Sequence, residues 1–256
     1  MLDQIIKVKH EEMERFIMPD DEKVTNVSFV GSLRKPTHEL GLIAEVKKAS
    51  PSKGIINANF DPVEVAKAYE KAGADAISVL TDESFFMGAN SFLIEVKKHV
   101  SLPVLRKDFI IDKRQIEESK RIGADAILLI VRALGATKTK EFYDYASNLG
   151  LECLVEVHSK EELEALTDHF TPEVIGINNR NLATFETSTK QTHSLSQYIP
   201  QSTLMISESG ISTYEDIKDV KSAGAKAVLV GEALMRDGTY EKGIKHLFGE
   251  TVHEKA

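Results

Sequence analysis

A short segment that occurs three times constrains the fold of this chain more than any other feature of its sequence. Each copy has a glycine, an alanine, a charged residue, a second alanine and a largely apolar run; the copies occupy residues 72–80, 122–130 and 223–231. The glycines lie 50 and then 101 residues apart, so a missing copy is expected near residue 173. A glycine can end a helix in the left-handed conformation, and the apolar run after it is typical of a buried parallel strand. A period near 50 residues corresponds to two strand–helix units, so four periods predict eight units.

We therefore predict an α/β fold, a (β/α)8 TIM barrel with an N-terminal helical extension. A length of 256 residues suits such a barrel, so residues 1–256 are predicted to form a single domain with residues 1–40 as the extension. A charged helical pattern begins this extension, which is expected to cap one end of the barrel or to contribute to a subunit contact. Strands are predicted at 42–46, 76–80, 104–107, 126–130, 152–157, 174–178, 204–208 and 227–230. Helices are predicted at 61–72, 91–100, 112–122, 137–149, 159–166, 188–198 and 213–223.

Several predicted strands carry a charged or amide side chain at or near their downstream ends. These side chains are Glu45, Lys47, Arg106, Lys107, Glu156, Asn178 and Glu208. Burying an unpaired charge costs several kcal/mol, so a strand gains no structural advantage from ending in this way. The pattern therefore indicates a ring of functional groups at one end of the barrel, where active sites of such barrels lie. The alternative for most of these charges is a structural ion-pair network, and Glu208 is interpreted as a supporting charge.

Two segments that follow the last two strands have the composition of phosphate-binding loops. Residues 207–212 contain Ser209 and Gly210, and residues 231–235 start with Gly231 and Glu232. Glycine allows backbone N–H groups to approach an oxyanion closely, and phosphate sites are frequent at this place in parallel barrels. The alternative is that both segments are ordinary turns between a strand and a helix.

The charge and hydropathy of the chain limit the kinds of partner that it can bind. The formal net charge of −8 argues against nonspecific binding to nucleic acid or to an acidic membrane, because both require a basic surface. No apolar stretch reaches the roughly 20 residues that are needed to span a bilayer. The single cysteine excludes an internal disulfide and fits a reducing compartment, so a cytoplasmic location is expected.

A few other residues have a plain structural interpretation. Cys153 lies in an apolar run and is interpreted as an inert core thiol. The eight histidines lack metal-ligand spacing, and His158 is interpreted as a loop residue rather than a base. Solvated helix faces are expected for Lys7, Lys9, Lys97 and Lys98.

At the level of whole motifs, residues 43–54 resemble the signature of the indole-3-glycerol phosphate synthase family of the tryptophan pathway. The resemblance continues, in the same order and at the same spacing, through residues 105–109, 154–158, 175–182, 207–211 and 231–235. It therefore covers nearly the whole chain. The sequence departs from the commonest motifs of the family at residues 130–132 and 186–192.

The resemblance implies ring closure of 1-(2-carboxyphenylamino)-1-deoxyribulose 5-phosphate to indole-3-glycerol phosphate, with loss of carbon dioxide and water. Lys107 is expected to protonate the C2′ carbonyl oxygen when the aryl ring carbon attacks it. Lys47 is expected to hold the anthranilate carboxylate or the phosphate. Glu156 is expected to act in the dehydration with one of these lysines.

The remaining site residues follow from the same resemblance. Glu45 is expected to hold the lysines by charge pairing, and Asn178 and Ser209 to orient the substrate. Phe86 and Phe109 are expected to flank the aromatic ring, with a role in the core as an equal alternative. Binding-site neighbours complete the list: Ser50, Arg180, Leu182, Gly210, Gly231 and Glu232. The resemblance implies no cofactor and no metal; the expected partners are a phosphorylated small molecule and, as candidates, other enzymes of the tryptophan pathway.

Two other functions remain open on the sequence alone. A Schiff-base aldolase would also place a lysine at a strand end above a phosphate site, and borohydride trapping of a carbonyl substrate on Lys107 would identify it. A non-catalytic phosphosugar-binding barrel would bind indole-3-glycerol phosphate without turnover. The complete ring of charges argues against the second function.

Overall fold

A computed structural model of the chain describes residues 1–50, 54–55, 60–181, 186–235 and 240–250. Eight parallel strands form a closed barrel in which each strand pairs with its neighbours in sequence and the first pairs with the last. The strands are β1 Gly41–Val46, β2 Ala76–Leu80, β3 Val104–Lys107, β4 Ala126–Ile130, β5 Glu152–Val157, β6 Val174–Asn178, β7 Leu204–Glu208 and β8 Ala227–Val230. A short antiparallel pair, Ala49–Ser50 with Gly54–Ile55, follows β1. The predicted (β/α)8 TIM barrel fold is confirmed.

Helices alternate with the strands, and two helices precede β1. They are α1 Leu2–Glu14, α2 Phe29–Leu33, α3 Pro62–Lys71, α4 Glu83–Phe86, α5 Asn90–His99, α6 Lys113–Arg121, α7 Val131–Asn148, α8 Lys160–Thr167, α9 Lys190–Ser196, α10 Tyr214–Ser222 and α11 Tyr240–Leu247, with a 3-10 turn at Glu232–Met235. The prediction missed the first six residues of α7. Gly135, with φ 72° and ψ 159°, lies among these six residues and interrupts the helix, so two helical pieces meet at a kink.

The repeated glycines have the conformation that the sequence pattern predicts. Gly73, Gly123 and Gly224 have φ values of 93°, 89° and 99°. Each terminates a helix and turns the chain into the next buried strand, and only glycine adopts this region without strain. The repeat therefore encodes the αβ turns that set the spacing of the barrel.

Side chains that point into the barrel form an apolar layer below the polar strand ends. Ile43, Leu105, Leu154 and Ile206 are fully buried in one cluster, and each lies two residues before a polar side chain at a strand end. Because side chains two residues apart on a strand share a face, the polar groups stand on this apolar layer and point into the barrel mouth.

Helix α2 closes the end of the barrel opposite the polar groups. Its residues Phe29, Val30 and Leu33 are buried in the same inner cluster. Glu152, the first residue of β5, accepts hydrogen bonds from Ser28 Oγ at 2.8 Å and from the Val30 backbone N–H at 2.7 Å. This end of the barrel is therefore filled by packed side chains, and the opposite end is open to ligands.

Helix α1 lies at the carboxyl end of the strands, and one of its lysines was expected to be solvated but is buried. Lys9 is 4% exposed, and its Nζ lies 2.9 Å from Asp82 Oδ2 and 3.0 Å from Asp108 Oδ1. Lys97 is also buried and pairs with Asp125 at 2.6 Å, so the same prediction was wrong for both lysines. Their partners are distant in the sequence, and helical periodicity could not reveal them.

Candidate active site

A cavity of about 500 Å³ opens at the carboxyl end of the strands and collects the predicted site. It is lined by these predicted site residues: Glu45, Lys47, Ser50, Phe86, Lys107, Phe109, Glu156, Asn178, Arg180, Ser209, Gly210, Gly231 and Glu232. Arg106, which was also expected in the ring of polar groups, does not line the cavity, because its buried side chain pairs with Asp108 and Glu118. Leu182 lies outside the described residues. Met1, Leu2 and Ile5 of the N-terminal segment contribute an apolar part of the wall.

Lys107, at the end of β3, is held between two carboxyl groups. Its Nζ lies 3.4 Å from Glu208 Oε2 and 3.5 Å from Glu156 Oε2, and its side chain is only 15% exposed. Burial by itself lowers the pKa of Lys107, but the surrounding carboxylates raise it well above its ordinary value. The side chain is therefore an ammonium ion, which can donate a proton or stabilise a developing oxyanion.

Glu208 is more central than its sequence-based interpretation as a supporting charge. It is 1% exposed, and its Oε1 has no hydrogen-bond partner among the described residues. A Cβ at Gly176, on the neighbouring strand β6, would collide with this oxygen, so the glycine makes room for the carboxyl group. Burial raises the pKa of Glu208 to about 7, with Lys107 opposing and Glu156 adding to the increase. Glu208 is therefore a carboxyl group that gains or loses its proton near neutrality.

Glu156, at the end of β5, lies between Lys107 and a histidine. Its Oε1 is 3.2 Å from His158 Nε2, and it is 3% exposed. Burial raises the pKa of Glu156, but Lys107, His158 and a hydrogen bond from Asn178 together lower it below its ordinary value. His158 follows β5 directly, as predicted for a loop residue, but it is only 8% exposed and contacts the site. No signal in the sequence distinguishes such a histidine from an exposed one.

Glu45 and Lys47 form an ion pair at the end of β1. Burial raises the pKa of Glu45, whereas Lys47, Lys107 and Arg180 lower it below its ordinary value, so the carboxylate is charged. A Cβ on Gly231, at the end of β8, would collide with Glu45 Oε1. Gly231 therefore leaves space for the Glu45 carboxylate.

The loop after β7 has a strained backbone at the cavity wall. Ser209 and Gly210 have φ values of 68° and 74°, and this region is unfavourable for serine. The buried amide of Asn179 holds the loop, because its Nδ2 donates to the Ser209 carbonyl at 3.0 Å and to Ser207 Oγ at 2.9 Å. Strain of this kind persists where the surroundings enforce it, and it is frequent at ligand-binding sites. The sequence analysis did not identify Asn179 as a support of the site.

Two aromatic rings stand at the rim of the cavity. The ring centroids of Phe86 and Phe109 are 6.2 Å apart, and their planes are inclined by 34°. Asp82 caps the N-terminus of α4 by accepting hydrogen bonds from the backbone N–H groups of Phe85 and Phe86, which fixes the position of the first ring. Both rings are half-buried and face the cavity. Phe109 also packs against the inner apolar cluster, so its position fits both contact with a flat apolar ligand group and a role in the core.

The sequence matches proteins of known name over almost its full length. The sequence model of the indole-3-glycerol phosphate synthase family matches residues 2–247. The indole-3-glycerol phosphate synthase of Halalkalibacterium halodurans is 60% identical over 249 residues, which cover 97% of each chain. That of Priestia megaterium is 58% identical over 253 residues, which cover 99% of each chain.

The chain belongs to the indole-3-glycerol phosphate synthase family.

This membership confirms the resemblance that was drawn from the motifs. It also confirms the predicted function of an indole-3-glycerol phosphate synthase, a carboxy-lyase of tryptophan biosynthesis.

Solved structures with low identity share the fold of this synthase family member. A chain of the tryptophan synthase complex from Pyrococcus furiosus superimposes with a TM-score of 0.60 at 20% identity, and 82% of this chain and 98% of that chain are covered. The N-acetylmannosamine-6-phosphate 2-epimerase from Clostridium perfringens gives a TM-score of 0.62 at 16% identity, with 83% and 93% covered. These similarities concern the barrel alone.

Two further observations concern ligand and membrane binding by the family member. Within the described ranges, no group of three or more His, Cys, Asp or Glu side chains is arranged to hold a metal ion. In that same part of the chain, no helix is both long enough and apolar enough to span a bilayer.

Cys153 is buried, and burial raises the pKa of its thiol far above the ordinary value, which fits the predicted inert core residue.

Proposed function

We propose that the polar groups at the barrel mouth carry out ring closure of 1-(2-carboxyphenylamino)-1-deoxyribulose 5-phosphate. The observation that supports this most directly is the Lys107 ammonium, held between Glu156 and Glu208 in a cavity that also presents two aromatic rings. A proton donor, two carboxyl groups and an aromatic rim are the components that this reaction needs. The proposed substrate is therefore a phosphorylated small molecule with an aromatic carboxylate.

In the first step, Lys107 donates a proton to the C2′ carbonyl oxygen. The ring carbon that bears the carboxylate attacks C2′ and forms the new carbon–carbon bond. The bond to the carboxylate then breaks, carbon dioxide leaves, and its electron pair restores the aromatic ring. An ammonium ion in a largely buried site is suited to this step because it stabilises the oxyanion as it forms.

In the second step, the C2′ hydroxyl leaves as water. One proton is added to this hydroxyl, one is removed from C1′, and the remaining electron pair forms the double bond of the indole. Glu156, which is ionised, is proposed to accept the C1′ proton, and Lys107 or Lys47 to protonate the leaving hydroxyl. The two protons delivered to oxygen and the one removed from carbon give a net uptake of one proton per turnover.

The other predicted site residues are proposed to bind and orient the substrate. Glu45 fixes Lys47, which binds the anthranilate carboxylate or the phosphate. Asn178 and Ser209 supply hydrogen bonds, and Phe86 with Phe109 flanks the aryl ring. The backbone N–H groups at Ser209, Gly210, Gly231 and Glu232 are proposed to bind the phosphate. Ser50 and Arg180 line the same cavity, and Leu182 is proposed as a further neighbour.

The Schiff-base alternative is opposed by the charge of Lys107. A Schiff base forms only when the amine has a free electron pair, and such lysines usually have a lowered pKa. The carboxylates around Lys107 raise its pKa instead. Borohydride reduction in the presence of substrate is therefore expected to leave no adduct on Lys107.

The decisive experiment mixes the purified chain with the carboxyphenylamino-deoxyribulose phosphate and follows indole fluorescence. We expect product to form in a buffer that contains a chelator and no added cofactor. Release of carbon dioxide in equal amount should accompany the fluorescence. Binding of indole-3-glycerol phosphate without any turnover would contradict the proposal and favour a binding protein.

We also propose a domain organisation, a cellular location and candidate partners for the enzyme. We propose that residues 1–256 act as a single barrel domain, with residues 1–40 as a helical extension. We place the chain in the cytoplasm, in line with its single buried cysteine. Other enzymes of tryptophan biosynthesis are candidate partners, and co-purification from a cell extract with a tagged chain would test them.

A further inference from the structure

Glu156 and Glu208 are two buried carboxyl groups that share one cation. Lys107 Nζ lies 3.5 Å from an oxygen of the first and 3.4 Å from an oxygen of the second. Two carboxylates around one cation in a buried site do not both ionise freely, so the pair keeps one proton until the pH approaches neutrality. Because the two distances are almost equal, Lys107 does not determine which carboxyl group carries that proton.

His158 contacts only one member of this pair. Its Nε2 lies 3.2 Å from Glu156 Oε1, and its Nδ1 lies 3.6 Å from Glu162 Oε2. In the described part of the chain, His158 forms no salt bridge with Glu208. Glu162 is itself fixed, since it accepts a hydrogen bond from Arg132 Nε at 2.6 Å and one from the His158 backbone N–H at 2.7 Å. The imidazole is therefore held beside Glu156.

We propose that His158 is a positioning residue that keeps the negative charge of the carboxyl pair on Glu156 and leaves the proton on Glu208. The inference rests on the proposed function, in which ionised Glu156 accepts the C1′ proton. The imidazolium acts through Glu156 and touches no substrate atom in this scheme. In some other enzymes a carboxylate orients a catalytic histidine. Here the charges are reversed, and a histidine acts on a catalytic carboxylate.

The charges around both groups support this assignment. His158 faces Glu156 from its own strand end, Glu162 from α8 and Arg132 from the start of α7. Burial lowers the pKa of His158 and Arg132 adds to this, but the two carboxylates raise it above its ordinary value. Glu156 faces Lys107 and Glu208 on its other side. For Glu208, burial, Lys107 and Glu156 all have larger effects than His158.

The test compares His158→Asn with a matched control, His193→Asn. His193 also pairs with a carboxylate, Asp219 at 2.9 Å, but both of these side chains are exposed and neither lines the main cavity. Removing a cation that contacts a carboxylate raises the pKa of that carboxylate by about one to three units. We therefore expect the acid limb of the kcat profile to move upward by about one pH unit or more in His158→Asn. On that limb kcat falls about tenfold or more, whereas KM changes little and activity recovers at higher pH.

A structural role of His158 and the proposed role predict different profiles of kcat against pH for His158→Asn. A loss of activity by the same factor at every pH, or a profile that overlays that of His193→Asn, would overturn the proposal. Failure of the function itself has another signature, since the wild-type chain would then form no indole product. Should His158→Asn fail to fold, nuclear magnetic resonance titration of the wild-type His158 ring decides. A protonated ring at pH 7 supports the proposal, and a neutral ring overturns it.

Discussion

Lys9 Nζ lies 3.0 Å from Asp108 Oδ1, and Asp108 directly follows Lys107 in the chain. The same ammonium lies 2.9 Å from Asp82 Oδ2, the residue that caps α4. A single buried cation on helix α1 thus connects the two chain segments that carry the aromatic rings at the rim. The N-terminal helix is held to the wall of the site by charge and not only by its apolar residues.

Removing this cation should destabilise the fold. In Lys9→Met, Asp82 and Asp108 lose a partner inside a buried site, and breaking a buried ion pair typically costs about 3–5 kcal/mol. The lower end of this range is expected, because Arg106 still contacts Asp108 at 3.2 Å. The free energy of unfolding in urea measures the effect, with Lys7→Met on the exposed face of α1 as the control. Equal stability of the two variants would contradict the assignment of Lys9 as a buried structural cation.

The loss of unfolding free energy caused by Lys9→Met should also depend on pH, and it should become smaller as the pH falls. Burial raises the pKa of Asp108, but Lys9 and Arg106 lower it to about 2, against an ordinary value of 3.8. A carboxylate with a lowered pKa in the folded state stabilises the protein above its unfolded pKa, and this stabilisation is lost as the pH falls towards its folded pKa. The difference in unfolding free energy between wild type and Lys9→Met should therefore shrink from about pH 4 to about pH 2. A difference that stays constant over this window would show that Asp108 is not the partner that matters.

The strands were predictable because the chain repeats a simple local code. All eight predicted barrel strands match the observed ones to within one residue, since each is a short and largely apolar run, several follow a glycine turn, and several end at or beside a polar residue. The polar ends were predictable for the same reason: they follow inward-facing apolar residues at a spacing of two. Local pattern and barrel geometry agree at these positions.

Other features depend on contacts between distant segments, and the sequence alone does not reveal them. Lys9 is buried because two aspartates more than 70 residues away meet it. Glu208 has its unusual environment because Gly176 on the neighbouring strand leaves space for it. His158 is placed by Glu162, one turn into the next helix. In each case the residue type is ordinary and the partner decides the role.

Lys107→Ala should remove the proposed acid without removing the fold. A positioned acid typically contributes 10²–10⁴-fold to the rate, so kcat should fall by about that factor while product affinity is largely kept. Lys98→Ala, on the exposed face of α5, is the control and should retain full activity. Steady-state kinetics followed by indole fluorescence measures both variants. Normal turnover in Lys107→Ala would assign the proton donor to another residue.

Glu156→Gln should slow the second half of the reaction more than the first. The amide cannot accept the C1′ proton, but Lys107 can still protonate the carbonyl oxygen and allow carbon dioxide to leave. In a single turnover, carbon dioxide release should therefore precede indole fluorescence, whereas the wild-type signals should rise together. If both signals slow equally and stay synchronous, Glu156 does not act in the dehydration.

Gly176→Ala should displace the Glu208 carboxyl group from its buried position. The added Cβ would collide with Glu208 Oε1 and would also lie 3.1 Å from Leu154 Cδ1, so overpacking should cost about 1–3 kcal/mol of stability. Because Glu208 contacts Lys107, kcat should fall as well. A double-mutant cycle with Glu208→Ala separates the causes, since truncating Glu208 removes the atoms that collide. In that background Gly176→Ala should cause little further loss of kcat, and only the smaller loss of stability that comes from its contact with Leu154. Additive losses of kcat in the double variant would show that Gly176 acts independently of Glu208.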